Sequence, residues 1–241
     1  MTERDEERLG VPLDGWTPPR APEGVTITGQ YTALEMLDPE RHVAALHDHY
    51  AGHDDLWDYM SVGPFSSAAL YREWVEEAVV DLNTVFYAIQ DRKDDGFKGV
   101  ASYLRIDPPM GSLEIGNICF SPSMKRSRVA TEALYLMMAW AFDAGYRRVE
   151  WKCNALNLPS RRAAQRLGFS YEGVFRQMMI VKGRNRDTAW FAVTDQDWPS
   201  LRDAFSRWLD PLNFDGRGDQ CIALSDLTRS VRVSEDPALR P

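Results

Sequence analysis

The chain has 241 residues, of which 44% are apolar and eight are Trp, enough for one good-sized domain with appendages. No stretch approaches a membrane span, Met1–Gly10 has no apolar run of signal-peptide length, and Cys119, Cys153 and Cys221 are too few and too scattered for a disulfide framework or a zinc pattern. A cytoplasmic protein with no membrane partner and no metal is expected. The net charge of −8 is segregated: residues 120–190 carry 13 Lys/Arg against 5 Asp/Glu, whereas residues 1–119 carry 9 against 22. A basic segment in an acidic chain points to one anionic ligand rather than to general nucleic-acid binding.

Residues 1–24 are charged and then Pro-rich, which predicts an extended or disordered leader, with Trp16 as a pin to the domain. Val25–Gln30 reads as a first strand, followed by Leu34–Leu37 and a helix begun near Asp38-Pro39. All four histidines fall between His42 and Gly63 in no established ligand spacing, so an exposed polar helix and loop is expected there. Ser66–Val80 predicts an amphipathic helix capped by Ser66 or Ser67, with Leu70, Trp74 and Val75 on its buried face. Val85–Ile89, Val100–Ile106 and Leu113–Phe120 then form an antiparallel meander, in which faltering alternation near Gly116 predicts a bulge.

The stretch from Phe120 to Gly145 organises the rest. Ser121 and Pro122 end the strand, Lys125, Arg126 and Arg128 crowd a turn, and Ala133, Leu134, Met137, Trp140, Ala141 and Ala144 recur at helical spacing up to Gly145. The first N–H groups of that helix, its positive dipole end and three cations together suit a phosphate or pyrophosphate. Val149, Trp151 and Cys153 alternate with Glu150, Lys152 and Asn154 in a strand that should lie parallel to the third meander strand. A short helix follows, with Asn157 and Ser160 near its start and Gly168 at its end. Gly173–Val181 and Thr188–Thr194 then flank the basic turn Lys182–Asp187 as a hairpin. Pro199–Leu209 is a last amphipathic helix, and residues 211–241 read as a loosely structured tail able to fold back. The fold class is thus α/β in the α+β sense: one domain over 25–210 with a mixed sheet, helices on both faces and one central crossover.

Over roughly residues 25–209 the chain resembles the GNAT superfamily of N-acyltransferases, in the branch of the RimJ and RimL ribosomal-protein acetyltransferases. The likeness is carried by Leu113-Glu-Ile-Gly116, the loop Lys125–Ala130 with Thr131-Glu132-Ala133, Asn157-x-x-Ser160, Leu167-Gly168-Phe169, Glu172-Gly173, Lys182-Gly183 and Asp187. The resemblance implies a mostly antiparallel, splayed sheet whose two parallel central strands diverge around the pantetheine arm of acetyl-CoA or another acyl-CoA. It also implies that Ile118, Cys119, Lys125, Arg126, Ser127, Arg128, Val129, Ala130 and Asn157 line the donor site. The family's loop pattern Gln/Arg-x-x-Gly-x-Gly/Ala is met here by Lys125, Arg128 and Ala130, so an arginine replaces the first glycine. CoA binding with altered loop geometry is expected, with Arg126 and Arg128 as forked phosphate donors. Because some proteins resembling this family use aminoacyl-tRNA, that donor, and tRNA as a partner, is the alternative.

An amine acceptor is mostly ammonium at neutral pH and must lose a proton before it attacks a thioester. The resemblance places Glu114 where the family keeps a carboxylate acting through water, whereas the residue alone would also suit an exposed strand face. A backbone N–H near Ile118 or Cys119 would meet the oxyanion. The family's thiolate-facing tyrosine falls at Ala164, so Ser160 takes the acid role by analogy with the RimL-like branch, against plain helix capping. That branch's acidic partner falls at Met179. Cys119 is expected to be a buried small hydrophobe rather than a nucleophile. Three readings stand: an N-acetyltransferase acting on a primary amine of a small molecule, peptide or protein N-terminus, an enzyme charged by aminoacyl-tRNA, or a silent module that binds acyl-CoA or a partner. Either a monomer or a homodimer is compatible with them.

Overall fold

The computed structural model describes residues 9–240. Its strands are β1 (Ile27–Thr28), β2 (Thr32–Met36), β3 (Val85–Asp91), β4 (Gly96–Asp107), β5 (Ser112–Phe120), β6 (Arg148–Asn154), β7 (Ser170–Val181) and β8 (Arg184–Thr194). They form one sheet in the order β1-β2-β3-β4-β5-β6-β8-β7, antiparallel throughout except between β5 and β6. The α-helices are α1 (Pro39–Tyr50), α2 (Ala68–Val79), α3 (Arg128–Asp143), α4 (Leu158–Arg166), α5 (Trp198–Leu209) and α6 (Leu224–Thr228). This is the mixed sheet with a central β5–α3–β6 crossover that the pattern of elements implies.

Helix starts follow local chemistry. Asp38 accepts from the N–H groups of Glu40 and Arg41 and precedes Pro39, and Ser67 accepts from Leu70. The face of α2 differs from expectation. Tyr71 and Val75 are buried and Leu70 is 46% exposed, because α2 packs into an aromatic layer with Tyr50, Trp57 and Phe65 that favours the longer ring. His42 is likewise buried rather than exposed; its Nδ1 accepts from Asp38 N–H and its ring packs on Phe97. One face of the sheet is covered by α1 and α2, and the other carries the main core, in which Leu113, Ile115, Val149 and Trp151 pack with Ala133, Met137 and Phe205.

β5 and β6 pair only at Ser112–Arg148, Leu113–Val149 and Glu114–Glu150, although both strands run on. The cause lies on the other edge of β5. There Val100 opposes Cys119 while Ser102 opposes Gly116, so β5 holds one extra residue, and Asn117 sits at φ 49°. Such a bulge bends its strand. Gly116 is required beside it, since a Cβ there would come within 2.9 Å of Leu104 and 3.2 Å of the Glu114 carboxylate.

The terminal segments are tied down. Pro19 and Pro22 are buried, Trp16 lies against Gly111, and Tyr146 donates to the Arg20 carbonyl; the first eight residues of the expected leader lie outside the described residues. The tail is more ordered than its composition suggests. Arg161 donates to both Asp236 oxygens at 2.6 Å, Gln165 binds the segment around Ser234, and Trp208 donates to Gln220. Both members of the Arg161–Asp236 pair are buried, and removing one partner of such a pair strands the other charge. Asp236→Ala should therefore cost about 3 to 5 kcal/mol in denaturant unfolding. A variant that unfolds with the wild type would show that the tail is held by its other contacts and not by this pair.

Candidate active site

Glu114 is the last β5 residue paired to β6, so its side chain stands where the two strands part. It is 6% exposed, on the sheet face opposite Leu113 and Ile115. Its Oε2 lies 3.1 Å from Arg105 Nε and 3.2 Å from Lys152 Nζ, although neither donor is aligned for a hydrogen bond. Burial raises the Glu114 carboxyl above its ordinary value, against the downward pull of Lys152 and Arg105. Its register partner Glu150 goes the other way: burial would raise it, but hydrogen bonds from Lys152 and Arg148 hold it below the ordinary value. Lys152 also lies 3.7 Å from the Trp190 ring centroid. The two facing carboxyls thus differ in proton affinity, with the higher at the mouth of the splay. Lys152 and Glu150 were visible in the sequence only as the outward half of an alternating strand, and Arg105 carried no signal.

The loop before α3 has the features of an anion site in part. Ser127 caps the helix by accepting from Ala130 N–H, while the N–H groups of Arg126, Arg128 and Val129 have no partner among the described residues. Lys125 and Arg126 are exposed beside them, and Arg126 takes φ 63°. Arg128 is placed differently from Lys125 and Arg126. Its guanidinium lies 4.9 Å from the Tyr31 ring and 4.4 Å from the Phe214 ring, clamped between β1–β2 and the C-terminal segment. Its side chain is thus engaged with two rings, while its backbone N–H has no partner among the described residues. Tyr31 is fixed in turn by Glu132 of α3, which accepts from the N–H groups of Gln30, Tyr31 and Thr32 at 2.8, 2.6 and 2.8 Å.

On the opposite side of the splay, Asn157 rather than Ser160 is the cap of α4, accepting from Ser160 N–H at 3.1 Å. Ser160 Oγ accepts from the Trp151 indole at 3.0 Å and lies beside Cys153, whose thiol burial pushes up to about 11. The Trp151 contact leaves the Ser160 hydroxyl proton available. Ile118 and Cys119 follow the bulge. Cys119 packs in the α1–α2 layer, its carbonyl accepts from Tyr50, and burial pushes its thiol up to about 12, leaving almost no thiolate at neutral pH.

The β7–β8 hairpin completes the surroundings. Between the Phe175–Thr188 and Met179–Arg186 pairs β7 carries two extra residues, with Gln177 at φ 54° and its N–H held by Asp187 at 2.7 Å. A cavity of about 750 Å³ is lined there by Phe175, Arg176, Gln177 and Met178. Lys182 donates to the Trp57 carbonyl and Tyr59 to the Leu156 carbonyl, so the loop after α1 closes against the hairpin and the start of α4. Glu114 and Ser160 thus stand on different faces of one opening, with the loop 125–130 on the crossover that joins its two strands.

The chain belongs to the GNAT acetyltransferase family: the family model described as an acetyltransferase (GNAT) domain matches residues 33–170. It is similar to a crystal structure of a GCN5-related N-acetyltransferase from Brucella melitensis, at 40% identity and TM-score 0.88 over 90% of this chain and 100% of that one. It is 25% identical over 173 residues, 71% of this chain and 94% of the relative, to the SPbeta prophage-derived uncharacterized N-acetyltransferase YokL of Bacillus subtilis (strain 168). RimL, a ribosomal alpha-N-protein acetyltransferase, shares the fold at 23% identity and TM-score 0.62, over 72% of this chain and 98% of that one. The chain is accordingly an acetyltransferase.

The clamp on Arg128 separates two kinds of loop variant. Arg128→Ala should cost about 1 to 2 kcal/mol of stability through two lost ring contacts and leave CoA affinity near wild type. The Lys125, Arg126 double alanine variant should weaken CoA binding about tenfold or more at unchanged melting temperature. Calorimetric titration with CoA and thermal melting of both variants would test this, and a large affinity loss in Arg128→Ala would return its side chain to the phosphates.

Proposed function

We propose that the protein transfers an acetyl group from acetyl-CoA to a primary amine, of a small molecule or a protein N-terminus, by direct attack of the amine on the thioester. The observation that carries this reading is the splay after Glu114, with a raised-pKa carboxyl at its mouth and free N–H groups on its crossover. Lys125, Arg126 and the N–H groups of Arg128 and Val129 hold the donor's pyrophosphate, with Ser127 and Ala130 fixing the turn. Asn157 spends its carbonyl on capping, so its amide N–H groups are left to donate to pantetheine. N–H groups of the Ile118–Cys119 stretch meet the oxyanion, and the Ser160 hydroxyl meets the sulfur.

Glu114 takes the amine's proton, directly or through one water. Gly116 leaves room beside its Oε1, since a Cβ there would sit 3.2 Å away. A carboxyl raised by burial is a stronger base than a solvated one, and Lys152 and Arg105 favour its ionised form against that burial. Mass spectrometry of purified protein for bound CoA species, with CoA release measured over a panel of amines, tests the assignment. Binding of charged tRNA without CoA affinity would support the aminoacyl donor, and CoA binding without transfer to any amine a silent module.

Because only ionised Glu114 accepts a proton, kcat/KM should fall as pH drops through its raised pKa, above the ordinary carboxylate range. Glu114→Gln should lower kcat/KM on the order of 10²-fold at neutral pH, remove that acid limb and leave CoA binding intact. Wild-type kcat/KM across the pH range in this variant would reduce Glu114 to a strand residue.

A further inference from the structure

Arg186 stands on β8 two residues before Thr188, which pairs with Asn154 at the end of β6. It therefore lies just beyond β6, at the open end of the splay, on the face that carries Lys152 and Trp190. Its side chain is half-buried and its Nε is covered, yet Nε has no hydrogen-bond partner among the described residues. Arg161 is compensated by Asp236, Arg148 by Glu150 and Glu172, and Arg232, whose Nε is also unpartnered, by Glu235 at 3.5 Å, while Arg166, which has no carboxylate partner, donates to Thr131 and packs on the Trp208 ring. No carboxylate lies within ion-pair distance of Arg186 among the described residues. Burial lowers its pKa, and the groups it senses are Cys153, Glu114 and Arg105. Cys153 is the neighbour of Ser160. Arg186 is thus a cation without a counterion, at the open end of the splay and on the sheet face of the carboxylate assigned as base.

We infer that the Arg186 guanidinium receives the CoA thiolate as it departs, a catalytic role that rests on the acyl-CoA reading above. The neutral amine nitrogen bonds to the thioester carbonyl carbon and gives its proton to Glu114. The tetrahedral intermediate then collapses, the C–S bond breaks and its electron pair goes to sulfur. The products are an amide and a thiolate, and the negative charge arrives beside a cation already in place. A guanidinium suits this because it holds its charge without needing to donate a proton. Its unpaired burial is unfavourable in the resting protein, and the interaction is regained only when charge develops on sulfur, which favours the step rather than the binding of donor.

Bound CoA reports this contact without an acceptor. Thiolate ultraviolet absorbance of the CoA complex can be followed across pH, with the desulfo-CoA complex as blank to remove the protein's own thiols. On the wild type the CoA thiol should be about tenfold or more ionised, relative to free CoA, at a given pH. On Arg186→Gln it should ionise as free CoA does, on Arg186→Lys it should fall between, and desulfo-CoA should bind all three alike. Arg186→Lys keeps the charge and so separates the effect from a folding fault. Equal ionisation on wild type and Arg186→Gln, or wild-type ionisation matching free CoA, overturns the inference while the acyl-CoA reading stands. Failure of both CoA and desulfo-CoA to bind the wild type removes that reading and this inference with it.

Discussion

The extra residue at the β5 bulge is the constraint on which the rest depends. β5 is a central strand, bonded to β4 on one edge and β6 on the other, and without the bulge its pairing with β6 could continue past Glu114. With it, β5 follows β4 while β6 follows β8, and a gap opens in the middle of an otherwise continuous sheet. Backbone groups inside a sheet are ordinarily satisfied by the neighbouring strand. Those facing this gap are available to another partner, so one local irregularity yields both the space and the recognition groups. Gly116 belongs to the same device, because a Cβ there would displace the Leu104 side chain and crowd the Glu114 carboxylate.

A second set of contacts holds the crossover that spans the gap. Glu132 binds three consecutive N–H groups of the β1–β2 turn, which places Tyr31 under Arg128, and the C-terminal segment supplies Phe214 to the other face of the same guanidinium. The first turn of α3 is thereby fixed from both ends of the chain. The arginine at a position where the family pattern has glycine is explained by this clamp. Its side chain packs between the Tyr31 and Phe214 rings.

Most of the scaffold was legible because local rules decide it. Asp38-Pro39 and Ser67 announce helix starts, the Asp94–Gly96 turn announces a hairpin, and the broken alternation at Gly116 announces the bulge. What escaped depends on partners distant in sequence. Tyr71 and Leu70 are both plausible on an amphipathic face, and only the ring layer of Trp57, Phe65 and Trp74 selects the tyrosine. The tail is polar enough to read as loose, and its order comes from a buried arginine on α4 that no local pattern connects to Asp236. The cap of α4 was readable only as a choice between Asn157 and Ser160, since both side chains cap well and one hydrogen bond decides between them. Of the candidate site, the resemblance named Glu114 and the loop, but the cations Arg105 and Lys152 beside Glu114 come from two further strands whose adjacency is a property of the sheet.

The charges around the gap are arranged so that one carboxyl differs from its neighbours. Glu150 receives one hydrogen bond from Arg148 Nε at 2.9 Å and an ion pair from Lys152 at 2.6 Å, and Arg148 is held again by Glu172, so that chain is closed on itself. Glu114 touches Lys152 and Arg105 through a single oxygen, at longer distances and without alignment. Its burial is therefore only partly offset, which is why its proton affinity rises while that of Glu150 falls. Strengthening those two contacts would stabilise the carboxylate and weaken it as a base, whereas removing them would raise its proton affinity further. A base in this position needs cations close enough to favour its ionised form and too poorly aligned to quench it, and Arg105 and Lys152, both meeting only Oε2 and neither aligned, supply that compromise.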